Sequence, residues 1–165
     1  MKLLNRWLDK VDYFLALISA GTLFLMMVWI FMDVILRYFF HRPLPGTMEI
    51  TGEYLLPVMV YLAVSYTQQQ NGHVYVDFLY HKFSKGTKRI VGLFTNLVAL
   101  VLFIILSINN FKEGLKYYAK NIQSVGILDY PLAPALMIIS LGLLIMCIRL
   151  LIDSINIVQD KKEFK

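Results

Sequence analysis

The sequence predicts an all-α integral membrane protein with four transmembrane helices. Three observations carry that reading. Apolar residues make up 58% of the 165 residues and charged residues only 16%, against about a quarter charged in ordinary soluble domains. Three stretches are long and uncharged: Tyr13 to Met32 has 20 residues, and Ile90 to Ile108 and Tyr130 to Ile148 have 19 each. A hydrocarbon core about 30 Å thick takes roughly 20 apolar residues at 1.5 Å rise each. A fourth apolar stretch, roughly Ile50 to Thr67, is interrupted by Glu53 near its start. One membrane domain, residues 1–165, therefore accounts for the chain, with spans at about 12–36, 50–68, 90–110 and 131–152.

Residues 1–11 read as a separate element. Leu3, Leu4, Trp7, Leu8 and Val11 recur at helical spacing, while Lys2, Arg6 and Lys10 follow one another at i, i+4 on another face. The pattern fits a short amphipathic helix lying at the membrane interface. The apolar run that follows is too long for a signal-peptide core and lacks a convincing cleavage site, so it reads as a retained first span.

The first loop, Arg42-Pro43-Leu44-Pro45-Gly46-Thr47, is a rigid turn. Pro57 inside the second span removes one backbone hydrogen bond and predicts a bend. In the middle loop, Val74, Phe78, Leu79 and Phe83 can share one helical face, with His73, Asp77 and His81 on the other. This predicts a second interfacial helix over 73–84. The third loop, Asn109 to Asp129, is polar, and part of it extends the third helix.

Orientation follows from the basic residues. Eleven Lys and Arg fall in the N-terminal segment, the middle loop and the C-terminal end, and five in the first and third loops. The positive-inside rule then places both termini in the cytoplasm. The same placement explains the net charge of +5 as attraction to anionic lipid and gives no reason to invoke nucleic acid.

Sites for chemistry are sparse. His73, Asp77 and His81 align on a helix at i, i+4, i+8, a spacing that can supply metal ligands. With no fourth ligand in view, the wet face of an interfacial helix is the simpler reading, and no metal or other cofactor is expected. Haem ligands would be histidines inside the bundle, whereas His41, His73 and His81 all lie in loops. The single Cys147 reads as a small packing residue. No ionisable residue sits near the middle of a span, where a proton or ion pathway would need one. Arg149, at the end of the last span, is expected to snorkel to the aqueous phase. Asp33 and Arg37 are i, i+4 on the first helix, acid before base, and Glu49 and Glu53 are i, i+4 on the second. The Pro-containing turn brings both pairs to one surface, where Arg37 is expected to bridge the helices by pairing with Glu49 or Glu53.

At these residues the chain resembles the small membrane subunit of tripartite ATP-independent periplasmic (TRAP) transporters. The similarity runs through Val34-x-x-Arg37-Tyr38-x-Phe40, then Arg42-Pro43-Leu44-Pro45-Gly46-Thr47-x-Glu49, then Gln70-Asn71-Gly72-His73-Val74-x-Val76-Asp77. Ser124 to Gly142, with Leu128, Pro131 and Pro134 ahead of an apolar span, also fits. Where many members place Trp before two adjacent acids, this chain has Met48, Glu49 and Ile50, with Glu53 one turn on. The resemblance implies an accessory scaffold subunit in the bacterial inner membrane, with no enzyme activity. It implies a larger multi-span membrane partner that carries substrate and ions, most often sodium. It also implies a periplasmic binding protein that delivers an organic acid. Asp33, Arg37, Tyr38, Glu49, Glu53, His73 and Asp77 become candidate partner or structural contacts. The residues alone leave two other readings: a four-helix membrane enzyme or haem-binding electron-transfer subunit, and a small autonomous oligomeric exporter.

Overall fold

In a computed structural model, residues 2–70, 85–126 and 128–159 are described. They form α1 (Lys2–Phe40), α2 (Thr47–Ile50), a π-helical turn (Thr51–Leu55), α3 (Leu56–Gln69), α4 (Lys85–Ala119) and α5 (Ala133–Val158). The middle loop, with the expected interfacial helix 73–84 and the His73, Asp77, His81 alignment, lies outside the described residues.

Among the described residues, three helices, α1, α4 and α5, are long and apolar enough to cross a membrane. The expected separation of residues 1–11 from the first span is not present. α1 is one unbroken helix of 39 residues, about 58 Å long. No Gly or Pro interrupts residues 2–20, so nothing in the backbone forces a break there. α4 continues to Ala119, well past the apolar run that ends at Ile108, as the polar third loop predicted. It stops in a Schellman turn: Asn121 takes φ 47°, Ile122 N–H returns to Tyr117 O at 3.0 Å, and Asn121 N–H to Tyr118 O at 3.2 Å.

The segment expected to be the second span is a composite. α2, the π turn and α3 follow without a gap from 47 to 69. The Pro57 irregularity takes the form of a widened turn, in which Leu56 N–H bonds Thr51 O five residues back. Proline has no N–H to give the Glu53 carbonyl and its ring crowds it. A π-helical turn removes that clash.

The helices pack in an open row. α1 packs on α3, α3 on α5, and α5 on α4. Contacts fix the directions. Ser19 Oγ donates to Met59 O at 2.5 Å and the rings of Tyr13 and Tyr66 meet edge-on at 6.5 Å, so α1 and α3 are antiparallel. Ser107 on α4 and Ser140 on α5 exchange hydroxyl-to-carbonyl bonds at 3.0 and 2.9 Å, and those helices are antiparallel too. α3 and α5 run parallel, with Gly142 against the backbone of Tyr61. Leu100, Met146, Cys147 and Leu150 form the core, with Val64, Ala99 and Phe103 packed on it. Cys147 is thus a packing residue where α3, α4 and α5 converge.

Candidate functional site

Charged side chains gather at the two ends of the row. At the loop end, α1 closes where His41 turns left-handed at φ 52°. Asp33, 5% exposed, uses both carboxylate oxygens. Oδ1 accepts Leu44 N–H at 2.8 Å, and Oδ2 accepts Arg37 Nη2 at 2.9 Å. The helical i, i+4 pair read from the sequence is therefore present, and Asp33 also ties down the proline loop. Gly46 starts α2 at φ 75°, a conformation that favours glycine. A β-carbon there would also fall 2.5 Å from Leu128 Cδ1. The third loop interlocks from the other side, since a β-carbon on Gly126 would lie 2.1 Å from the Glu49 carboxyl carbon.

The expected bridge from Arg37 to Glu49 or Glu53 is not formed. Arg37 pairs within its own helix and its side chain is 60% exposed. Glu53 instead accepts Tyr130 O–H at 2.6 Å, while Tyr54 donates to Pro131 O and the two tyrosine rings meet edge-on at 5.4 Å. Burial first, and then the bond to Glu53, push the Tyr130 phenol above its usual pKa. It stays neutral and able to donate at physiological pH. The acid of the second span is thus held by a tyrosine 77 residues away, which no helical spacing announces. Tyr38 is exposed and rests on Phe39 with ring centroids 5.1 Å apart. His73 and Asp77 lie outside the described residues.

These roles predict an order of effects. Asp33→Ala strands the Leu44 N–H and is expected to cost about 1–3 kcal/mol. Arg37→Ala removes an exposed ion pair worth about 0–1 kcal/mol. Melting midpoints of the two purified variants check this, and a larger loss for Arg37→Ala would reverse the assignment.

A cleft of about 390 Å³ opens beside Glu53, between α4 and α5. Asn109, Asn110, Glu113 and Tyr117 line its polar part, and Leu136 and Ile139 its apolar part. Two carboxylates make it a poor receptor for an anion.

The opposite end holds a cluster that sequence reasoning missed. Arg149 does not snorkel. It is 5% exposed, and its Nε donates to Asp12 Oδ2 at 2.9 Å. Its Nη2 reaches Asp9 Oδ1 at 2.8 Å and also Asp12 Oδ2. Asp12 is fully buried. One turn along, Gln68 Nε2 on α3 donates to Asp153 Oδ2 at 3.1 Å, and Asp153 is 5% exposed. Arg89 on α4 donates to the carbonyl of Val158 near the end of α5. Asp9, Asp12, Gln68, Arg149 and Asp153 together clasp α1, α3 and α5. The available signal was two acids at i, i+3 where the amphipathic N-terminal segment meets the first apolar run, opposite a lone Arg in the last apolar stretch.

Ion pairs at both ends and serine bonds in the middle suit a rigid membrane element. The family model for "Tripartite ATP-independent periplasmic transporters, DctQ component" matches residues 4–160. The chain belongs to the DctQ family. It is therefore a component of a tripartite membrane transporter and not an enzyme. No curated protein and no solved structure matched the chain.

Proposed function

We propose that this DctQ-family chain is the scaffold of its transporter, crossing the bacterial inner membrane four times with both termini in the cytoplasm. It partners a large multi-span subunit that moves an organic acid, driven by an ion gradient that is most often sodium. A periplasmic binding protein delivers the substrate. The open row of helices carries the scaffold reading. α1 and α4 sit at its edges and present exposed large side chains such as Phe24, Phe31, Phe94 and Leu102. Such faces suit lipid on one side and a membrane partner on the other. The cleft at the loop end is lined by carboxylates and would repel an organic anion, which supports placing the substrate site elsewhere. The bias of eleven basic residues against five supports the orientation.

Cells lacking the chain are expected to lose uptake by the complete system, and the tagged chain to retain the large subunit in mild detergent. The isolated chain should give no binding heat with the transported substrate. Saturable binding at the affinity of transport would remove the scaffold reading. In a Cys147→Ala background, a Glu163→Cys variant should resist membrane-impermeant labelling in intact cells. Labelling from the periplasmic side would invert the topology.

A further inference from the structure

The clasp leaves three buried oxygen atoms without a partner among the described residues: Asp12 Oδ1, Ser65 Oγ and Gln69 Oε1. Both Arg149 bonds to Asp12 fall on Oδ2, so Oδ1 is bare although Asp12 is 0% exposed. Ser65 is 1% exposed.

The packing register sets the three residues at the same end of the row, where α1, α3 and α5 meet. The edge-on contact of Tyr13 with Tyr66 sets Asp12 of α1 level with residues 65–66 of α3. Ser65, Gln68 and Gln69 are spaced i, i+3, i+4 and so share a face of α3. That face looks toward α5, because Gln68 bonds Asp153. Arg149, one turn before Asp153 on α5, reaches back to Asp12.

We propose that this junction of α1, α3 and α5 binds an internal water molecule held by Asp12, Ser65 and Gln69. The donor inventory selects water. A carboxylate oxygen and an amide carbonyl oxygen only accept hydrogen bonds, and neither can satisfy the other. The serine hydroxyl both donates and accepts. A water molecule supplies two hydrogens for the two acceptors and a lone pair for the hydroxyl, within the usual two to four bonds of a buried water. A cation is the competing occupant, and the Arg149 guanidinium on the other oxygen of the same carboxylate repels it. Among the described residues no group of three or more acidic, His or Cys side chains could hold a metal ion. The bound water completes the hydrogen bonding of Asp12 beside its arginine and carries the clasp across to α3, which has no ion pair of its own with Asp12.

The full-length chain, purified with its transporter complex, can be imaged at a resolution that shows ordered water. A single peak about 2.7–3.2 Å from both Asp12 Oδ1 and Ser65 Oγ is expected. A peak ringed by more oxygens at the shorter distances of a sodium ion would overturn the proposal, as would a direct Ser65–Asp12 hydrogen bond with no peak between. Ser65→Ala and Gln69→Leu give a second test that leaves the Arg149 pair intact. If one water links both side chains, the double variant should lower the melting midpoint no further than the worse single variant. Additive shifts would mean that the two residues share no ligand.

Discussion

Arg149→Ala is expected to abolish recovery of folded protein, or nearly so. The substitution leaves Asp12, which is fully buried, as a charge with no counter-ion. Breaking a buried pair from one side costs about 3–5 kcal/mol, a large share of the roughly 5–15 kcal/mol that holds a domain together. Asp12→Leu should be milder, because Arg149 keeps Asp9, whose side chain is 42% exposed. Combining Arg149→Met with Asp12→Leu should recover much of the loss, since well-packed apolar replacements of a buried pair are often neutral. Size-exclusion profiles of the four proteins in mild detergent check the series. A normal profile for Arg149→Ala would show that the pair does not close in the membrane.

The second large effect is at Gly142. A β-carbon there would lie 2.3 Å from the Tyr61 carbonyl oxygen and 2.8 Å from its carbonyl carbon. Both are backbone atoms of α3 and cannot rotate aside, so the parallel pair α3–α5 must separate. Gly142→Ala is expected to destabilise by about 1–3 kcal/mol, and Gly142→Leu to prevent the packing altogether. Gly21→Ala is the matched control. It has no neighbour within 4 Å, and alanine favours a helix interior by about 0.8–1 kcal/mol over glycine, so it should stabilise slightly. A melting midpoint for Gly142→Ala at or above that of the unmodified chain would refute the close approach.

The sequence told most where the signal was local. Uncharged runs located the long helices, and i, i+4 spacing found Asp33 with Arg37. The proline rule marked the irregularity at Pro57, although its form, a π turn, depends on how the freed carbonyl is accommodated. Long-range pairing was the part that spacing could not reach. Arg149 sits at a span end, where a snorkelling side chain is the ordinary expectation. Its partners lie 137 and 140 residues earlier, in a segment whose basic face drew attention away from its acids. Glu53 illustrates the same limit: its charge is obvious, but its donor, Tyr130, is brought in only by the turn that follows α4. The open order of the row was also hidden, because an apolar stripe shows that a helix packs without showing on which neighbour.

The parallel course of α3 and α5 has an electrostatic consequence. Each α-helix carries roughly half a negative elementary charge at its C-terminus from aligned peptide dipoles. α3 and α5 both finish at the end that holds Asp9, Asp12 and Asp153, and the antiparallel α1 and α4 begin there, so two negative dipole ends in the middle of the row are flanked by two positive ones. Arg89, bonded to the Val158 carbonyl, meets the negative end of α5 directly, whereas Arg149 stands well before that end and answers the carboxylates of Asp9 and Asp12. At this end of the row, Arg89 therefore neutralises a helix terminus itself, a role separate from any attraction to lipid headgroups.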